Sequence, residues 1–312
     1  MNLRTFVLSC AFVFLVAQLP NHAYANDANT DGWLPIKIEH GRLLVQSSLA
    51  GFDGYSLIDH RANSSAVNTA FLQKNTLRLK SRGVTGVQGL AERNRGPYYR
   101  DVQATLLGVD VEFSKLDQVS LDRQDVQFIL GADFLELGVF QFDYPNARMR
   151  LLDRDTVNLG ELSNVKSRVD STCNVVNAEV RLKDAQNVWL TVDTTAASGV
   201  LMERSIVAQH DWLTSYPSEL LNVRGVNAGS TVEQFRLPVL QIGNFEVTDV
   251  PVRVPAKGNN LELFDRPTRT DSNLRCRRGK AQGLLGYEVL KDFVLTIDYR
   301  KGKIHLQPTT TS

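Results

Sequence analysis

The sequence predicts an all-β protein made of two similar halves. Most of the chain reads as short runs of alternating or β-branched apolar residues closed by Gly, Pro, Asn or Asp, the pattern of strands joined by tight turns. Helical stretches are few and short, at 68–77, 134–137, 203–213 and 288–291. The third observation is a repeat, since residues 129–151 return in altered form at 284–306. Length agrees: 312 residues make about two domains of roughly 150 each. Hydrophobic residues at 43% and charged residues at 22% exclude a disordered or collagen-like chain. A formal charge of +1, from 35 basic and 34 acidic side chains, excludes the positive field that collects nucleic-acid phosphates. Three cysteines and five histidines are too few and too scattered for a zinc module, and no glycine loop cradles a phosphate. Neither a metal nor a cofactor is expected.

Residues 1–25 read as a secretory signal. Arg4 supplies a positive start, residues 5–17 (TFVLSCAFVFLVA) carry no charge, and Ala23-Tyr24-Ala25 offers the small residues a signal peptidase reads. The apolar run is shorter than the ~20 residues that span a bilayer. Cleavage before Asn26 and a periplasmic or secreted location are expected, with no membrane span. Removal of Cys10 leaves Cys173 and Cys276. An even pair in an oxidising compartment favours a disulfide within the second half over two inert thiols.

The first half, 26–155, opens with strands and reaches the segment YSLIDHRANSSAV at 55–67. A strand ends there in Asp59 and gives way to small polar residues. Next comes Val84-Thr85-Gly86-Val87 with Gly89 close behind, where glycines punctuating a strand pair suggest a mobile hairpin tip. ILGADFLELGVFQFDYPNARMRL at 129–151 closes the half with a short helical turn, the strand VFQFDY, a Pro145-Asn146 turn and a second strand. Residues 156–171 are polar and largely aperiodic and are read as a linker.

The second half, 172–312, repeats the order. WLTVDTTAASGVL at 189–201 is a strand ending in Asp193, and Val223-Arg224-Gly225-Val226 with Gly229 is the second glycine hairpin. LLGYEVLKDFVLTIDYRKGKIHL at 284–306 matches 129–151 at a shift of 155 without a gap. Seven identities in 22 positions, Gly131/Gly286, Asp143/Asp298 and Tyr144/Tyr299 among them, exceed the roughly one or two expected from composition.

Asp59 and Asp193 are the candidate chemistry. Aspartate often ends a strand merely as a turn residue, but equivalent placement in two copies of a repeat points elsewhere. Residues related by a pseudo-twofold can meet across its axis. Two carboxyls within reach of each other share one proton, so one serves as base toward a water while the other donates to a carbonyl oxygen. That pairing suffices to split an amide.

These residues resemble the bilobal aspartic protease family, in its bacterial retropepsin-like branch. Leu57-Ile58-Asp59 and Val192-Asp193-Thr194 are similar to the family's active-site loops, and Ile129-Leu130-Gly131 and Leu284-Leu285-Gly286 to its later hydrophobic-hydrophobic-Gly segments. The likeness runs from about Leu43 to Leu306. It implies two lobes with a cleft between them, Asp59 and Asp193 on the lytic water, and Thr194 as a positioning group. It also implies a flap carrying Gly86, Val87 and Gly89 over an extended peptide, with Gly225 and Val226 on the equivalent hairpin.

Three positions depart from the family pattern of Thr or Ser followed by Gly. His60 and Arg61 follow the first aspartate, and Thr195 stands at the second glycine position. Imidazole can imitate the family's cross-lobe threonine bond only through a longer arm, and a Cβ in place of glycine crowds the site. A guanidinium at Arg61 is expected to favour ionised Asp59 and pull its pKa down. The expected function is an exported aspartic endopeptidase acting on polypeptide. The alternative is a pseudoprotease that holds a peptide or envelope protein in the cleft without cutting. Elsewhere, Trp189 is expected in the core, Tyr98-Tyr99 in lobe packing, and the basic run at 275–280 in a solvated loop.

Overall fold

The computed structural model describes residues 32–62, 64–88, 93–170, 175–182, 187–224, 229–259 and 281–309. The candidate signal, Cys10, Cys173, Cys276, Gly89, Gly225, Val226 and the basic run at 275–280 all lie outside the described residues. Trp33–Ser312 forms one compact unit.

Three sheets make up that unit. A ten-stranded sheet draws every strand from the first half, and an eight-stranded sheet joins the strand Ser167–Asp170 to seven strands of the second. Both halves contribute to a third, five-stranded sheet, where the hairpin Val139–Asp143 and Arg148–Leu152 lies beside the hairpin Phe293–Asp298 and Lys303–Pro308. Strands dominate and every helix described is six residues or shorter, so the fold is all-β and bilobal. Among the described residues no helix is long and apolar enough to cross a membrane.

The two large sheets are built around the same crossing. In the first, Val126–Leu130 runs parallel to Phe52–Ile58 with Leu130 opposite Ile58, and antiparallel to Ala66–Asn68. In the second, Gly283–Leu285 runs parallel to Asn187–Val192 with Leu285 opposite Val192, and antiparallel to Val200–Met202. Both crossing strands are buried at every residue, covered on both faces, hence the unbroken apolar runs Phe128-Ile129-Leu130 and Leu284-Leu285. The aspartates stand one residue past the outer strands.

The shared sheet reveals the symmetry axis. Its central strands pair antiparallel with Gln141 opposite Thr296, and these are the residues that the 155-residue shift equates. Gln141 donates to Thr296 Oγ1 at 2.8 Å. A pseudo-twofold passes through that pair, and the apolar inner face of the sheet, with Phe140, Phe142, Leu295 and Ile297 all buried, floors both lobes.

Several readings are corrected. The segment 156–171, read as a linker, contains a helical turn, Leu159–Leu162, and a strand, Ser167–Asp170, paired to Val175–Leu182. All four residues of that strand are half-buried, so neither face shows the alternation that marks a strand. Trp189 lies at intermediate depth, with Arg168 stacked 3.9 Å from its ring centre and Lys166 at 5.7 Å. Gly86 and Val87 lie on the hairpin strand Ser81–Gln88, paired to Arg95 and Asn94, beside a turn outside the described residues.

Candidate active site at the seam of the lobes

Each aspartate is set by backbone alone before any side chain helps. Asp59 N–H donates to Leu130 O at 3.0 Å, and Asp193 N–H to Leu285 O at 2.9 Å. The chain then turns, Ala62 N–H reaching Asp59 O and Ala196 N–H reaching Asp193 O. Gly131 and Gly286 press against these turns. A Cβ on Gly131 would stand 2.6 Å from Ser64 C and 2.8 Å from Ala62 O, and one on Gly286 would sit on Ala196 O and Ser198 O. The glycines are there for close approach, as neither has a positive φ.

The residues after the aspartates meet across the axis. His60 Nδ1 lies 2.8 Å from Thr194 Oγ1, and the same hydroxyl donates to Ile58 O at 2.7 Å. A hydroxyl has one proton, so Thr194 accepts from His60, and the imidazole is the neutral form with its proton on Nδ1. Imidazole therefore does make the cross-lobe bond. His60 Nε2 has no hydrogen-bond partner among the described residues; the Phe142 and Tyr299 rings pack at 5.3 and 5.1 Å. Burial holds the imidazole down to about 3.

Each carboxylate also accepts a backbone N–H from two residues onward, Arg61 N–H to Asp59 Oδ1 and Thr195 N–H to Asp193 Oδ1, both at 2.8 Å. Thr195 Oγ1 adds a second donor to Asp193 Oδ1 at 2.6 Å. At the position where a Cβ was expected to crowd the site, the Thr195 hydroxyl supplies a donor. Arg61 extends across the seam, its guanidinium 3.7 Å from Asp193 Oδ2. Burial first, and the Asp193 charge second, push Asp59 up to about 6. Arg61 opposes this without prevailing, so the expected downward pull on Asp59 is overturned by desolvation and the second carboxyl.

Two residues unassigned from sequence complete the setting. Tyr299 OH donates to the backbone carbonyl of His60, so the second half's hairpin braces the first half's aspartate loop. Its equivalent, Tyr144, is buried beside Tyr287, with ring centres 6.0 Å apart, and senses the Asp193 charge. Tyr144 OH has no hydrogen-bond partner among the described residues. Their identity within the repeat was the available signal, since a buried phenol needs a reason to be kept.

Of the other predicted site residues, Thr194 is buried at the axis, and Gly86 and Val87 lie on the first hairpin's outgoing strand. Val223 and Arg224 end Glu219–Arg224 on the second hairpin. Tyr99 is buried, with its hydroxyl on Gln118 Oε1.

The fold and the site together define the acid-protease architecture. The chain is similar to the crystal structure of an aspartic proteinase from Irpex lacteus, with a TM-score of 0.53 over 89% of this chain and 97% of that one, at 11% identity. At that identity the likeness is one of fold. No protein-family model matches the chain, and no curated protein sequence matches it.

Proposed function

We propose that the protein is an exported aspartic-type endopeptidase, with lobes spanning 26–155 and 172–312, that hydrolyses peptide bonds of an extended polypeptide. One observation carries the reading: two aspartates, equivalent in the repeat and held by equivalent backbone bonds, flank a seam where their neighbours His60 and Thr194 are hydrogen-bonded. In the proposed cycle Asp59, which the site pushes toward its acid form, donates to the scissile carbonyl oxygen. Asp193 takes a proton from the attacking water. Thr194 and His60 are positioning groups, and Arg61 and Thr195 border the dyad.

A peptide-library cleavage assay from acidic to neutral pH tests this. Cleavage is expected, with Asp193→Asn and Asp59→Asn each losing at least ~10²-fold in rate; activity that survives either substitution refutes it. N-terminal sequencing of the processed protein, expected to begin at Asn26, tests export.

The contact of Arg61 with Asp193 at 3.7 Å favours a second reading, in which the same cleft holds a peptide without cutting it. A triple variant, His60→Thr with Arg61→Gly and Thr195→Gly, separates the two. Cleavage gained only by the variant supports the second reading.

A further inference from the structure

Arg61 is an expensive residue to place where it stands. It occupies the third position of the first aspartate loop, where its backbone N–H alone serves Asp59. Any amino acid except proline supplies that bond, so the bond does not account for an arginine side chain at this position. The side chain is 30% exposed, and its guanidinium faces Asp193 Oδ2 at 3.7 Å. Fork-like arginine–carboxylate bonds run at about 2.7–2.9 Å, so this contact balances charge without using the donors. No hydrogen bond joins the guanidinium to any described residue. Asp193 is meanwhile tied down elsewhere, its Oδ1 taking both the N–H and the hydroxyl of Thr195. The result is a pre-positioned planar cation at the seam, beside the two carboxyls, with its donors unspent.

We propose that Arg61 is a specificity-determining residue that receives a carboxylate of the bound polypeptide next to the two aspartates. The charge arithmetic permits it. Arg61 offsets Asp193, and Asp59 is uncharged below its midpoint of about 6, so an incoming carboxylate meets no net negative charge there. The ligand's carboxylate comes either from an Asp or Glu side chain or from a free C-terminus. Both present the same two-oxygen acceptor to a guanidinium. This rests on the reading of the cleft as a polypeptide site and holds whether the peptide is cut or only held.

The experiment is fluorescence anisotropy with labelled peptide pools and the full chain, below the Asp59 midpoint. One matched pair exchanges Glu and Asp for Gln and Asn, and a second exchanges a free C-terminus for its amide. The parent is expected to bind one carboxylate pool at least about ten-fold more tightly than its neutral partner. Arg61→Ala erases the preference while still binding the neutral pool, and Arg61→Lys keeps part of it. Whichever pair shows the preference identifies the carboxylate's source. Equal binding within both pairs overturns the proposal but leaves the cleft reading intact, as does a preference that survives in Arg61→Ala. Failure of every pool to bind the parent overturns both. Thermal melts of the two variants that match the parent exclude loss of fold as the cause.

Discussion

The two aspartate loops share one backbone plan, down to the N–H that each carboxyl accepts from two residues onward, and differ in the side chains around those carboxyls. Asp193 is 2% exposed, takes two donors from Thr195 and faces Arg61. Asp59 keeps partial exposure, and the donors that reach its carboxyl are backbone N–H groups of its own loop, Arg61 foremost. The cation of the first loop is thus turned toward the acid of the second. The buttressing differs as well. In the first lobe Gly131 N–H bonds the hydroxyl of Ser65, which is itself bound to Asp133; in the second, Gly286 N–H bonds the backbone carbonyl of Gly199. Duplicate frames can therefore hold unlike environments, and an acid–base pair needs that inequality more than it needs symmetry.

The harshest way to probe the shared frame is to thicken it. Gly131→Ala and Gly286→Ala each force a methyl into backbone, and each is expected to cost roughly 3 kcal/mol. The second variant is the worse, because the intruding Cβ meets two carbonyl oxygens more closely. Urea unfolding of both decides it; a fully tolerated alanine at either site contradicts the close approach described.

Acidification next sets two neighbours within the first loop against each other. Asp59 has a raised pKa in the folded state, so its stabilising contribution is complete below the usual carboxylate range and is lost as pH rises through about 6. His60 has a lowered pKa, so its contribution is complete above the free imidazole value of 6.5 and is lost as pH falls toward about 3. Between about pH 4 and 6 the two slopes oppose each other. Relative to the parent, Asp59→Asn is expected to lose about 1.4 kcal/mol of stability per unit of acidification in that window, and His60→Gln to gain a similar amount. Denaturant melts at a series of pH values read both; parallel profiles for parent and variants break the opposition.

The tyrosines give the smallest contrast and the sharpest sign. Tyr299→Phe strands the buried carbonyl of His60 and is expected to cost about 2 kcal/mol. Tyr144→Phe removes a hydroxyl that bonds no described residue and is expected to stay within about 0.5 kcal/mol of the parent. Thermal unfolding of the pair tests whether the two phenols differ as described, and equal losses would show that they do not.

Much of this was legible in the chain. Short alternating runs and an ungapped repeat indicated an all-β, two-part fold, and the matched strand ends singled out Asp59 and Asp193. The hairpins at 139–152 and 293–308 were readable because the strand Val139–Asp143 and its counterpart keep their apolar alternation and turn residues. What escaped depends on distance. Nothing near Tyr299 indicates that its hydroxyl lies on a carbonyl 239 positions away, and nothing near Arg61 says which acid it faces. Local chemistry suggested Asp59, its neighbour in sequence, whereas the crossing seam brings Asp193. The net direction at Asp59 was missed for a related reason: a charge two residues away is visible in sequence, while desolvation is a property of the assembled lobes.

The crossed brace also sets a timetable. The loop bearing Asp59 emerges early in synthesis, yet the phenol that steadies it arrives only with residue 299. Without residue 299 in place the first loop lacks this brace, so the seam stays unassembled until the second hairpin has docked. Docking of the second hairpin is thereby the step that completes the first loop.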